Sequence, residues 1–177
     1  MKLVTLVFLT LFIQYSVAIT ISEESLKKVI NSLGYVGIFL SSLVFSLSLF
    51  LPIPLYIPMI AIAIAKDFNP IATILLASIG SSIGEITSYL IGLGAYTKLE
   101  KFKSIKKFRK LFDKYGSVII IILSFLPFAD IAGILAGSSK YEFKKFFIFT
   151  FVGKLLKMYL IFYSLYFGID ILVSKWI

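Results

Sequence analysis

Residues 50–58 read Phe-Leu-Pro-Ile-Pro-Leu-Tyr-Ile-Pro, in the middle of a stretch, 29–65, that contains no Asp, Glu, Lys or Arg. A run of that length and polarity belongs in a bilayer, whose hydrocarbon core takes about 20 mostly apolar residues as a helix. Yet Pro52, Pro54 and Pro58 cannot share one straight helix. Each removes a backbone donor, and its ring clashes with the preceding turn. The shape that satisfies both facts is helix, non-helical break, helix: a hairpin over 35–65 that enters and leaves on one side. Broken backbone at membrane depth is tolerated only where protein or water covers it, so the break predicts an interior cavity.

The same order of elements returns downstream. Tyr115-Gly116 opens a second apolar segment, 115–137, which Phe125-Leu126-Pro127 interrupts. Matching the two Phe-Leu-Pro triplets offsets the halves by 75 residues. Each hairpin is followed by a span. Asn69-Pro70, a cap and a first-turn proline, opens 70–96. Ser139-x-x-Glu142 reads as a capping box opening a helix over about 140–173. Gly80-x-x-x-Gly84 and Gly92-x-Gly94 predict close packing of the first span on a neighbour. One span between the hairpins makes them enter from opposite faces. The fold class expected is therefore an all-α polytopic membrane protein: an inverted repeat of two proline-broken re-entrant hairpins, each followed by a spanning helix, with halves at about 35–96 and 115–173.

Working outward, residues 1–20 carry Lys2, an apolar run and Ser16-Val17-Ala18. They fit a signal peptide or a first transmembrane helix. Residues 22–33 place Leu26, Val29, Ile30 and Leu33 on one face with Lys27, Lys28 and Asn31 opposite, a short helix lying on the bilayer that Gly34 ends. The membrane domain is thus expected over 22–177. Residues 98–114 hold eight basic residues against Glu100 and Asp113, a surplus of six within a net charge of +9. Between apolar segments this marks a cytoplasmic loop rather than a nucleic-acid site. Its Leu99, Phe102, Ile105 and Phe108 recur at helical spacing, so it reads as a basic amphipathic helix that joins the halves and touches an anionic lipid surface.

Of the 177 residues, 59% are hydrophobic and 15% charged, whereas soluble domains carry about 25% charged residues. There is no His and no Cys. That excludes Ser-His-Asp and Cys-His catalysis, the usual zinc sites and disulfides. No cofactor is implied.

The chain resembles the DedA / SNARE-associated Golgi (VTT-domain) superfamily over about residues 25–165. The resemblance rests on Leu-Gly-Tyr-Val-Gly at 33–37, Leu-Pro-Ile-Pro at 51–54, Gly-Ser-Ser-Ile-Gly-Glu-Ile-Thr-Ser-Tyr-Leu-Ile-Gly at 80–92, Lys-Tyr-Gly at 114–116, Leu-Pro at 126–127, Ala-Gly at 136–137 and Tyr-Glu-Phe-Lys-Lys-Phe at 141–146. It implies two re-entrant hairpins meeting at mid-membrane and the movement of polyprenyl-phosphate or phospholipid headgroups. Family members often carry acids around the first proline break and arginines around the second. Ser46, Tyr56, Ser124 and Asp130 stand at those places here. Glu85 matches the acidic place after Gly-x-x-x-Gly.

The candidate site is drawn from Pro52, Pro54, Pro58, Glu85, Pro127, Asp130, Lys154 and Lys157. A carboxylate at bilayer centre costs about 2.5–3.5 kcal/mol on insertion scales. Glu85 is accordingly either a structural partner or a polar lining. Asp130 is either the N-cap of the half-helix after Pro127 or an ion partner. Lys154 and Lys157 share a face; they either reach water at an end or need acids, for which Asp130 and Glu85 are the candidates, and Asp130 is the expected partner of one of the two lysines. A half-helix starting near Pro58 aims free N–H groups and a positive dipole end at a phosphate. The function expected is a lipid transporter or scramblase of the plasma membrane, with membrane lipids as partners and an oligomer left open. The alternatives are a lipid-modifying enzyme and a non-transporting structural protein.

Overall fold

A computed structural model describes residues 24–47, 56–99, 103–126 and 129–176. The N-terminal segment 1–20, Pro52, Pro54 and Pro127 lie outside the described residues. Among the described residues every regular element is an α-helix: α1 (24–33), α2 (Tyr35–Leu47), α3 (Tyr56–Ala65), α4 (Pro70–Gly84), α5 (Ile86–Leu99), α6 (Lys103–Phe125), α7 (Ala129–Ser138) and α8 (Phe143–Trp176). Among the described residues two stretches are long and apolar enough to cross a bilayer, Pro70–Tyr96 with 27 residues and Phe143–Gly168 with 26.

Local chemistry sets most boundaries. Gly34 links α1 to α2 at φ +57°, a left-handed conformation that a side chain resists. The Asn69 side chain accepts from the Ala72 N–H at 3.1 Å, and Pro70 takes the first helical position of α4, as its sequence demands. α3 and α7 end in the same turn. Phe68 N–H donates to the Ala63 carbonyl at 3.0 Å and Tyr141 N–H to the Ala136 carbonyl at 2.9 Å, while Asp67 and Lys140 adopt φ of 52° and 53°. This is the Schellman closure, built twice without the usual glycine.

Each turn brings the chain back beside the start of its own hairpin. Asn69 N–H donates to Tyr35 Oη at 2.8 Å, and the Tyr35 and Phe68 rings lie 4.6 Å apart, so the segment after α3 sits against the first residue of α2. Downstream, the Tyr141 and Ser117 hydroxyls hydrogen-bond at 2.9 Å, and the Tyr141 ring covers Gly116. Glycines then allow backbone-to-backbone packing. A Cβ at Gly80 would strike the Phe39 carbonyl and Ser42, and one at Gly84 would lie 2.6 Å from the Leu43 carbonyl and from Ser46 Cβ. α2 and α4 therefore run side by side in the same direction. Gly92 meets Ile134, Gly133 meets Ser88 and Gly137 meets Tyr89 and Leu93, so α5 and α7 are parallel too. Gly153 of α8 seats on Ile121 and Ser124 of α6.

α8 ties the two ends together. Phe146, Thr150, Lys154, Met158 and Phe162, four residues apart, are all buried. Met158 and Phe162 join Leu26, Ile30, Ile38, Met59, Ile60, Ala63, Ile74 and Ala77 in one apolar cluster. Phe146 joins Tyr89, Phe112, Ile120 and Ala136 in another. Thr150 and Lys154 fall between them. The outward faces are apolar, Ile71 being 67% exposed, as lipid contact requires.

Four expectations change. The basic segment 98–114 and the apolar segment after it are not separate elements: from Lys103 to Phe125 they form one helix. Gly116 does not break it because the Tyr141 ring packs over that turn. The span 70–96 holds as one stretch of 27 residues, but its helix is divided at Glu85, between α4 and α5. There the Ser81 carbonyl accepts from both Glu85 N–H at 3.2 Å and the Lys154 ammonium at 2.6 Å, and the hydroxyls of Ser78, Ser82, Thr87 and Ser88 donate to backbone carbonyls of the ladder. Ser139 is no cap: its hydroxyl is buried without a hydrogen bond, and α8 starts after Glu142, which pairs with Lys145 at 2.8 Å. The helix expected to lie on the bilayer over 22–33 instead docks Leu26 and Ile30 into the core, with Lys27, Lys28 and Asn31 outward.

Candidate functional site

The centre of the molecule is a polar layer between the two apolar clusters. α4 and α5 contribute Ser81, Glu85 and Ser88; α8 contributes Thr150 and Lys154; α2 contributes Ser46 and α6 Ser124, all buried. Lys154 is 2% exposed and Glu85 1%. The Lys154 ammonium donates to Glu85 Oε2 at 2.6 Å, to the Ser81 carbonyl at 2.6 Å and to Ser46 Oγ at 3.1 Å. An ammonium has three donors, so these contacts use them all. Glu85 Oε1 accepts from Ser88 Oγ at 3.2 Å. The Ser46 hydroxyl continues to Tyr56 Oη at 2.7 Å, linking α2 to the first residue of α3.

Charge burial explains why the pair is so tightly held. Each ion alone would cost several kcal/mol to desolvate, and only close, fully hydrogen-bonded geometry offsets that. The two groups also stand at matching places. Glu85 follows Gly84, which packs on α2 beside Ser46; Lys154 follows Gly153, which packs on α6 beside Ser124. The match ends at the hydroxyls. Ser46 is bound by Lys154, whereas Ser124 Oγ and Thr150 Oγ1 have no hydrogen-bond partner among the described residues.

Lys157 is one turn further along α8 and is differently placed. Its ammonium donates to the Leu126 carbonyl at 3.1 Å, at the end of α6, and lies 5.8 Å from the centre of the Tyr56 ring. A cation suits a helix C-terminus, where carbonyls lack partners and the dipole is negative. Leu126 precedes Pro127, and Tyr56 stands two residues after Pro54. Lys157 thus reaches both the end of α6 and the start of α3.

Asp130 is the second residue of α7, inside its first turn, and is half-buried. It lies within electrostatic reach of Glu85, Lys154 and Lys157, but no ion pair joins it to either lysine. The pairing expected of Asp130 is made by Glu85, because the four-residue stripe on α8 turns Lys154 toward α4. Nor is Asp130 the N-cap, since α7 begins at Ala129. Pro58 sits in the first turn of α3, where its missing N–H breaks no hydrogen bond, and is partly buried. Of the sequence candidates, the structure brings Glu85 and Lys154 together, sets Lys157 and Asp130 near them and leaves Pro58 at the α3 start. Ser46, Tyr56 and Ser88 complete the network. Ser46 and Tyr56 were visible in the sequence only as substitutes for charged residues.

Among proteins of known kind, the model of the VTT domain matches residues 51–167. No curated protein and no solved structure matches the chain. The match takes in the buried ion pair, Lys157, the second apolar cluster and most of the first, and with two helices of spanning length it decides class and family together: the chain belongs to the VTT-domain family, that of the DedA / SNARE-associated Golgi proteins, and is an integral membrane protein of this transporter-like group.

Proposed function

We propose that the protein moves phosphate-bearing lipid headgroups, of phospholipid or polyprenyl phosphate, across the plasma membrane as a transporter or scramblase, without covalent chemistry. The observation that carries this reading is Lys157, an intramembrane cation that is not fully buried and reaches the end of α6 and the start of α3, beside a hydroxyl-rich layer braced by the closed Glu85–Lys154 pair. A headgroup crossing hydrocarbon needs a polar way through, and intramembrane ionisable groups mark such paths. Acyl chains can stay in lipid beside it.

We read the architecture as an inverted repeat. Three features support this: α4 seating its glycines on α2 as α8 seats Gly153 on α6, the repeated turns after α3 and α7, and the matching Gly84-Glu85 and Gly153-Lys154. Each hairpin then opens to a different face, the geometry that alternating access requires. The basic segment 98–114 lies on the anionic cytoplasmic surface.

The test is purified protein in liposomes carrying a headgroup-labelled phospholipid or polyprenyl phosphate, followed by chromatography of the recovered lipid. Movement above protein-free liposomes with unchanged lipid supports transport. A new lipid species would favour the enzyme instead, and neither result leaves a structural protein.

A further inference from the structure

We propose that the two lysines of α8 have separate tasks: Lys157 is the cation that meets the lipid phosphate, while Lys154 holds the two halves together and meets no ligand. The proposal rests on the transport reading for its ligand class. Its own grounds are hydrogen-bond capacity and position. All three Lys154 donors are spent inside the protein, on groups from α2 and α4, and the side chain is 3% exposed. A phosphate reaching it would have to displace Glu85 and leave that carboxylate buried with Ser88 alone. Such a displacement exchanges one charge-assisted bond for another and strands a charge.

Lys157 spends one donor on a carbonyl among the described residues and is not fully buried. An ammonium held by a neutral carbonyl keeps its charge uncompensated at contact distance, which is what an anion requires. It stands where the α6 end and the α3 start converge, so a phosphate there also lies by the N-terminus of α3, whose positive dipole end favours an anion. Asp130 lies within electrostatic reach of Lys157, which tempers the site and favours release over tight retention. A neutral Glu85–Lys154 pair behind the site adds no net charge to it.

The experiment measures binding to the purified full chain in a neutral detergent. The probes are dihexanoylphosphatidylcholine, geranyl phosphate and inorganic phosphate, which separate phospholipid, isoprenyl and free-ion sources of the same chemistry. The expected result is binding of a lipid probe by wild type. Lys157→Gln should weaken it about tenfold, the worth of one charge-assisted hydrogen bond. Lys157→Arg and the double variant Glu85→Gln/Lys154→Met should stay within about threefold of wild type. The proposal is overturned by wild type binding no probe, by Lys157→Gln binding like wild type, or by a folded double variant that loses binding as Lys157→Gln does. If the double variant does not fold, Lys157→Gln against Lys157→Arg decides alone. Binding in the expected pattern by a protein that moves no lipid in liposomes would keep the site and remove the transport reading.

Discussion

Replacing Lys154 by Met removes a charge from the buried interior and strips three hydrogen bonds at once. Glu85 keeps only Ser88 Oγ at 3.2 Å, Ser46 keeps Tyr56 at 2.7 Å, and the Ser81 carbonyl returns to the Glu85 N–H alone. Breaking one side of a buried pair costs about 3–5 kcal/mol, most of it from the charge left behind. Glu85→Gln leaves the ammonium with Ser46, the Ser81 carbonyl and an amide oxygen, so its cost falls at the lower end of that range. The double variant Glu85→Gln/Lys154→Met strands neither charge. It should be much more stable than the sum of the single losses, with a coupling of about 2–3 kcal/mol. Denaturant or thermal unfolding of all four proteins in one detergent gives the cycle. Additive single losses would show that the pair does not exist in the folded protein. A stable Lys154→Met variant would place the lysine in water.

Three further outcomes follow from the packing and charge pattern. Gly92→Ala drives a Cβ into the Ile134 backbone and should cost about 1–3 kcal/mol in unfolding experiments, whereas Gly94→Ala, with open space around it, should be neutral or stabilising. Thr150→Val deletes a buried hydroxyl that makes no hydrogen bond, so stability should hold or rise by about 1 kcal/mol; a clear loss in the same assay would reveal a partner for that group. A cysteine placed by Ser104→Cys, in a chain with no other thiol, should resist impermeant reagents added outside intact cells, and labelling from outside would reverse the topology.

Much of the architecture is legible in the residues because it follows from solvent. Uncharged runs name the membrane, and three prolines within seven residues forbid a straight helix whatever surrounds them. Asn69-Pro70 starts a helix through purely local bonds, and it does so here. Glu85 and Lys154 stand out because a charge at that depth must be answered. Which charge answers which depends on how α8 is rotated against α4, and sequence spacing alone does not set that angle. Asp130 therefore looked as good a partner as Glu85. Long-range contacts also override local signals at Gly116, where a ring from beyond α7 steadies the helix, and at Ser139, where a capping pattern is absorbed into the turn after α7. Asp67 and Lys140 carry no sequence mark of their left-handed backbone, since glycine is the residue expected there.

The most direct measurement is the bleaching of a headgroup-labelled phospholipid by an impermeant reductant outside proteoliposomes. A protein that passes headgroups brings inner-leaflet label to the surface, so fluorescence should fall past the outer leaflet's share toward zero, and Lys157→Gln should slow that second phase. Bleaching that stops at the outer leaflet's share, with folded wild-type protein in the membrane and with polyprenyl phosphate equally unmoved, would contradict headgroup transport.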